Sequence, residues 1–136
     1  MKKQFYISTD KTKLDIEVIH NYLSKESYWA KGRTLEAVET TIENSVCFGV
    51  YEDEKQIGFA RVASDLAVFA YIMDVFVLDA YRGNGLGKLL MDSIINNELL
   101  RNVQIWMLAT DDAHGLYRQY GFKPLPHPEK MMIMKL

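Results

Sequence analysis

A chain of 136 residues, 49% hydrophobic and 25% charged, is long enough to bury one sizeable core and is expected to form a single domain, 1–136. A net charge of −2 leaves no basic footprint for nucleic acid, and the longest apolar run, residues 66–73, is too short to cross a bilayer. The two lysines near the start precede no apolar stretch, so a cytoplasmic protein is expected, without membrane or nucleic-acid partners and with a buried, reduced Cys47.

In chain order, QFYIS (4–8) reads as a short first strand, and Leu14, Val18, Ile19 and Tyr22 take helical spacing over about 13–24. The connection KESYWAKGR (25–33) is polar and aromatic. Thr34 suits the N-cap of a second helix reaching about Asn44. SVCFGVYE (45–52) and QIGFARVAS (56–64) then read as two strands joined by a charged turn. LAVFAYIMDVFVL (66–78) is the third strand of this meander, expected to be central and covered on both faces, with Asp74 as its only charge. After a glycine-rich corner, Leu86, Leu89, Leu90, Ser93, Ile94 and Asn97 share one helical face. VQIWMLA (103–109) is expected to be another buried strand. A helix over about 112–120 follows, with Asp111 and Asp112 as its N-cap candidates and Gly121 at a left-handed C-cap. MMIMKL (131–136) is expected to close the sheet as a terminal strand. The order predicts an α+β fold, a mixed sheet with helices on both faces.

The corner YRGNGLG (81–87) places Gly83, Gly85 and Gly87 where a strand turns into a helix. Glycines there let backbone N–H groups converge on an anion at a helix N-terminus, and Arg82 and Lys88 add cationic donors. It is not a P-loop, because Leu89 stands where the magnesium-ligating hydroxyl belongs. It is not a dinucleotide fingerprint either, since Lys88 replaces the third glycine and the corner follows an antiparallel meander.

Arg82, Gly85 and Gly87 match the Gln/Arg-x-x-Gly-x-Gly/Ala signature, and the corner resembles the pyrophosphate loop of the GNAT N-acetyltransferase superfamily. GLYRQYGF (115–122) is similar to the same family's Phe-Tyr-x-x-x-Gly-Phe segment, with Leu116 in place of the first aromatic. The resemblance implies a three-layer fold, mostly antiparallel, with splayed central strands, and acetyl-coenzyme A as acyl donor without a metal. It implies cofactor contacts from Arg82, Gly83, Asn84, Gly85, Leu86, Gly87 and Lys88, and from the main chain around Phe76, Val77 and Leu78. Either Phe76 and Leu78 or Val75 and Val77 would then face the cofactor.

Tyr117, four residues before Gly121, matches the tyrosine that family members hold near the coenzyme A sulfur. A phenol of pKa near 10 is a protonated acid at pH 7, able to return a proton to a departing thiolate. Asp74 is the first candidate for a general base, on the expectation that burial in an apolar strand raises its pKa; pairing with a nearby cation, or a place at a bulge, is the alternative. His114, one turn before Tyr117, is the second candidate, with a capping role as its alternative. For the acceptor pocket, Tyr28 and Trp29 offer an aromatic wall, while Lys31 and Arg33 offer charges for an acidic group beside the amine.

The expected activity is direct transfer to a small-molecule or peptide amine within a ternary complex, by a monomer or homodimer. Competing classes are a coenzyme A-binding module without turnover, a transferase of longer acyl groups or to protein amines, and a structural α/β protein without ligand.

Overall fold

A computed structural model describes residues 4–136, and in it five strands make one sheet in the order β1-β2-β3-β4-β5. These are β1 (Phe5–Ser8), β2 (Val46–Glu52), β3 (Lys55–Ser64), β4 (Phe69–Val77) and β5 (Ile105–Leu108). The first four pair antiparallel, while β4 and β5 pair parallel across a helical crossover, as a parallel connection requires. The helices are α1 (Ile16–Asn21), α2 (Leu35–Glu43), α3 (Leu86–Ile95) and α4 (His114–Arg118).

Helices cover both faces. Ile19 of α1 and Val38 and Ile42 of α2 pack with Phe59 and Phe76 on one side. Leu86, Leu90, Met91 and Ile94 of α3, with Tyr117 of α4, pack with Phe48, Val50, Val62 and Ile72 on the other. Thr34 accepts a hydrogen bond from Ala37 N at 3.1 Å, which starts α2 where its cap was expected.

A bulge in β4 governs the geometry of the site. Arg61 pairs with Met73 and Phe59 with Phe76, so two steps along β3 oppose three along β4. The extra residue is accommodated at Asp74, whose φ of +53° lies in the left-handed region. One inserted residue exchanges the faces of a strand. Before the bulge Ala70 and Ile72 point to the α3 side; after it Val75 and Val77 do, and Phe76 turns to the α1–α2 side.

Three expectations are corrected. β5 is a strand, yet none of Ile105, Trp106, Met107 and Leu108 is buried, because β4 covers only one of its edges. Residues 131–136 form no strand and lie in solvent. Helix α4 begins at His114 after Ala113, whose N–H is held at 3.1 Å by Thr110 Oγ1, so neither Asp111 nor Asp112 caps it. Thr110 is the residue whose hydroxyl reaches back to the first turn.

Candidate active site

After Val77 the chain makes a short 3-10 turn at Asp79–Tyr81 and enters the glycine corner. Gly83 and Gly85 sit at φ +86° and +72°, where a side chain is strained, and a Cβ on either would meet nothing within 4 Å. These two glycines therefore answer to backbone shape and not to packing. Gly85 is the N-cap of α3 and supplies no side-chain cap, whereas Asp15 caps α1 and Thr34 caps α2. The first-turn N–H groups of α3 are thus left for something else to satisfy. They open on a cavity of about 290 Å³ lined by Val77, Tyr81, Arg82, Gly83, Leu86 and Lys88, among others. Uncapped amides, open space where Cβ atoms would stand and two cations fit a diphosphate.

Arg82 is already oriented. Its Nη2 donates to Tyr22 Oη at 3.2 Å and pairs with Asp79 at 3.1 Å. The Tyr22 ring in turn stacks on Phe76, with centroids 4.1 Å apart. Phe76 is thus core, while Val77 lines the cavity and Leu78 donates its N–H to Ile57 O at 2.8 Å. Asn84 donates its side-chain amide to Tyr81 O and shapes the turn.

The expected gap between central strands is present. β4 and β5 pair only from Phe69–Ile105 to Ile72–Leu108, and β4 then runs on to Val77 with β3 as its one neighbour. Beside the divergence lies α4. A Cβ on Gly87 would stand 3.1 Å from Leu116 Cδ2, so α4 crosses close over the first turn of α3. Leu116 lines the corner cavity, and Tyr117 lines the next one, about 330 Å³, with His114, Arg118, Phe122 and residues 106–110.

Tyr117 is 7% exposed, and no group among the described residues hydrogen-bonds its hydroxyl. Burial, then the charge of Asp112, pushes its pKa up from the usual 10. It stays a proton donor over the whole neutral range. His114 is exposed on the rim of the same cavity. Tyr120 belongs to the scaffold: its hydroxyl donates to Asp92 at 2.6 Å and reaches Lys88 O at 3.1 Å, tying α4 to α3.

The expectation for Asp74 is overturned in its premise. Burial does push its pKa up, but the Arg61 hydrogen bond and charge, then Arg33 and Trp29, outweigh it and hold the carboxyl below its usual range. Oδ2 accepts from Arg61 Nε at 2.6 Å and Arg33 Nη1 at 2.7 Å, and Oδ1 accepts from Trp29 Nε1 at 2.8 Å. A carboxylate held by three donors, two of them cationic, is a poor base and a good anchor. It pins the 25–33 connection to β4.

Trp29 and Arg33 are therefore part of that anchor, and Arg33 spends one of its donors inside the cluster. Tyr28 is 56% exposed and accepts a hydrogen bond from Asp111 N at 3.2 Å, which ties the connection to the loop before α4. Lys31 is exposed at its edge. Arg61 and Tyr22 escaped sequence reasoning. Arg61 had a signal: it and Asp74 are lone opposite charges in consecutive buried strands.

Among the described residues, no group of three or more His, Cys, Asp or Glu is arranged to hold a metal ion, and no helix is long and apolar enough to cross a membrane. Cys47 is buried, which pushes its thiol up to about 11.

The family model for the acetyltransferase (GNAT) domain matches residues 43–124. A crystal structure from Xanthomonas campestris pv. campestris, assigned to the GNAT family, superposes with a TM-score of 0.95 at 44% identity over 100% of this chain and 96% of that one. The uncharacterised N-acetyltransferase ycf52 of Gracilaria tenuistipitata var. liui is 32% identical over 85% of this chain and 74% of its own. The crystal structure of a predicted acetyltransferase with acetyl-coenzyme A from Clostridium acetobutylicum shares the fold at a TM-score of 0.71 and 16% identity, over 98% and 96% of the two chains.

Proposed function

The chain belongs to the GNAT acetyltransferase family, and on that premise we propose that it moves an acetyl group from acetyl-coenzyme A to an amine by direct attack in a ternary complex. The observation that carries the proposal is the uncapped first turn of α3 opening beside α4, so that a phosphate cradle and a buried phenol adjoin. Bound acetyl-coenzyme A supplies an activated thioester.

The chain's own groups then have distinct tasks. The amides of Leu86, Gly87 and Lys88, with Arg82, hold the diphosphate. The unpaired edge of β4 beyond Ile72 is free to hydrogen-bond an extended amide-bearing arm. Tyr117 donates a proton to the sulfur as its bond to the acetyl carbon breaks and the nitrogen–carbon bond forms. The proton lost by the attacking nitrogen passes to water or to His114. An α-amine of pKa 7.7–8.0 asks only about 1 kcal/mol for this at pH 7, whereas a lysine-like amine asks about 4.6 kcal/mol. With Asp74 paired to two guanidinium groups, the first kind of acceptor suits the site better.

Titration calorimetry with acetyl-coenzyme A and free coenzyme A should give heat. Saturation at about 100 times Kd should add about 2.7 kcal/mol of stability. A panel of amino acids, polyamines, aminoglycosides and peptide N-termini, read by release of free thiol, should then find a turned-over amine. Heat without thiol release from any of them would favour a binding module. No heat at all removes the cradle, and every role assigned around it.

A further inference from the structure

The Asp74 cluster is balanced for its anion and not for its cations. One carboxylate receives two guanidinium groups, Arg61 at 2.6 Å and Arg33 at 2.7 Å, so one positive charge is left over. Among the described residues neither arginine has a second acidic partner. Arg61 also donates to Ser45 Oγ at 3.2 Å, a neutral group, and keeps only 9% of its side chain in water. Arg33 keeps 21%, and its Nε and Nη2 have no partner among the described residues. Surplus charge in a part-buried site carries a desolvation cost that nothing inside the chain offsets. It emerges at the free edge of Arg33, where two parallel N–H groups have the geometry that a carboxylate accepts.

That edge stands by the gap in the sheet. β4 and β5 stop pairing at Ile72–Leu108, two residues before Asp74. Trp29 ties the 25–33 connection to Asp74 on the β4 side, and Tyr28 ties it to Asp111 N on the chain beyond β5. The connection therefore bridges the gap, with the half-exposed Tyr28 ring edge-on to Trp29 at 5.0 Å. Tyr28 is near enough to Tyr117 to push its pKa up, behind burial and Asp112. The two ends of the bridge carry opposite charge. Lys31 and Arg33 are on one, Asp111 and Asp112 on the other, and among the described residues no ion pair joins them.

We propose that the acceptor is an amino acid, its carboxylate held by the free donors of Arg33 and its amine reaching past Tyr28 toward Tyr117. This assignment rests on acetyl transfer being the activity and names the class of amine. Opposite charges kept apart match a zwitterion, and the arginine end repels a polyamine. The pairing also acts on reactivity. In a free amino acid the carboxylate holds the neighbouring ammonium protonated. Once a guanidinium neutralises that carboxylate, the amine is brought toward the 7.7–8.0 of an ordinary α-amine. Arg33 thereby eases a deprotonation for which Asp74 is unsuited. Lys31, exposed and unpaired among the described residues, adds to the field that draws a carboxylate to this edge.

The test compares each common α-amino acid with its amide, which keeps the amine and loses the anion. With acetyl-coenzyme A saturating, thiol release from the wild type should show at least about tenfold higher kcat/KM for an amino acid than for its amide. Arg33→Lys keeps a cation for Asp74 and loses the paired donors. It should raise KM for the amino acid about tenfold, with KM for the amide and Kd for acetyl-coenzyme A unchanged. A merely structural lesion would weaken both acceptors alike, and the wild-type comparison stands even where the variant does not fold. Binding is read separately, by calorimetric titration of each amino acid and each amide into the wild type with and without coenzyme A. Amides or polyamines used or bound as well as amino acids overturn the inference and leave acetyl transfer standing. So does an amino acid preference that Arg33→Lys leaves intact. Heat from an amino acid but not from its amide, with no thiol released from any amine, supports the carboxylate site and removes the transfer. Absence of both heat and thiol release overturns the site.

Discussion

The glycine corner and the Asp74 cluster lie a few residues apart along one stretch of chain and are built on opposite principles. The corner works through main chain: two left-handed glycines, an uncapped helix start and open space. The cluster works through side chains from three separate segments, Trp29 and Arg33 before α2, Arg61 on β3 and Asp74 on β4, converging on two carboxylate oxygens. On the proposed function, one region receives an external anion. The other has satisfied its anion internally, and so fixes structure. Burial alone therefore does not make a carboxylate a base; the cations it is paired with decide.

This contrast can be broken by exchanging the predicted phenotypes. The largest effect belongs to Asp74→Asn, expected to cost about 3 kcal/mol of folding stability by leaving two guanidinium groups against a neutral amide; this is the low end for a broken buried pair, because Arg33 keeps 21% of its side chain in water. The pH dependence has a definite sign. A depressed folded pKa stabilises above the unfolded value of about 3.9, and the contribution is lost as pH falls from there toward the folded value. Melting temperatures of the wild type should drop through that acid window and those of Asp74→Asn should drop less. A variant of unchanged melting temperature with turnover abolished would restore Asp74 as a base.

Next in size, Tyr117→Phe should lower kcat by about a hundredfold, with the calorimetric Kd for acetyl-coenzyme A unchanged. Because its pKa is raised, turnover should show no alkaline limb from this residue below pH 10. A rise in Kd with kcat intact would move Tyr117 from acid to binding wall.

Smaller again, Arg82→Ala should weaken coenzyme A binding about tenfold, and less at high salt, while kcat at saturation holds. Asp79, 77% exposed at its side chain, competes for the same guanidinium, so Asp79→Ala should tighten binding by about twofold. Should either change kcat rather than affinity, the division between the two regions fails.

The backbone shape of the corner was legible in the sequence, because left-handed main-chain turns declare themselves through glycine. α2 was legible for a similar reason, since Thr34 caps it locally. The role of Asp74 was not, because it depends on a bulge, and a bulge is set by how β3 and β4 register and not by either strand alone. For Asp74 the strand pattern offers both a buried base and an ion-paired or bulge residue; the structure takes the second, and the choice rests on Arg61, which lies thirteen residues away in sequence. The exposure of β5 and of 131–136 failed for a third reason. Apolar composition favours burial, but whether another element packs over a segment is set by the tertiary arrangement and not by the segment.

The missing cap on α3 has a dynamic consequence. A helix capped by glycine in place of a capping side chain forgoes roughly a few tenths of a kcal/mol at its first turn, so this end should fray more readily than the start of α2 when nothing is bound. Amide deuterium uptake at Leu86, Gly87 and Lys88 should accordingly be fast in the free protein and slow sharply with coenzyme A, with uptake at 35–38 unmoved. The ligand would then serve as the helix's missing first residue, and its arrival would be readable as local order rather than as a change of shape.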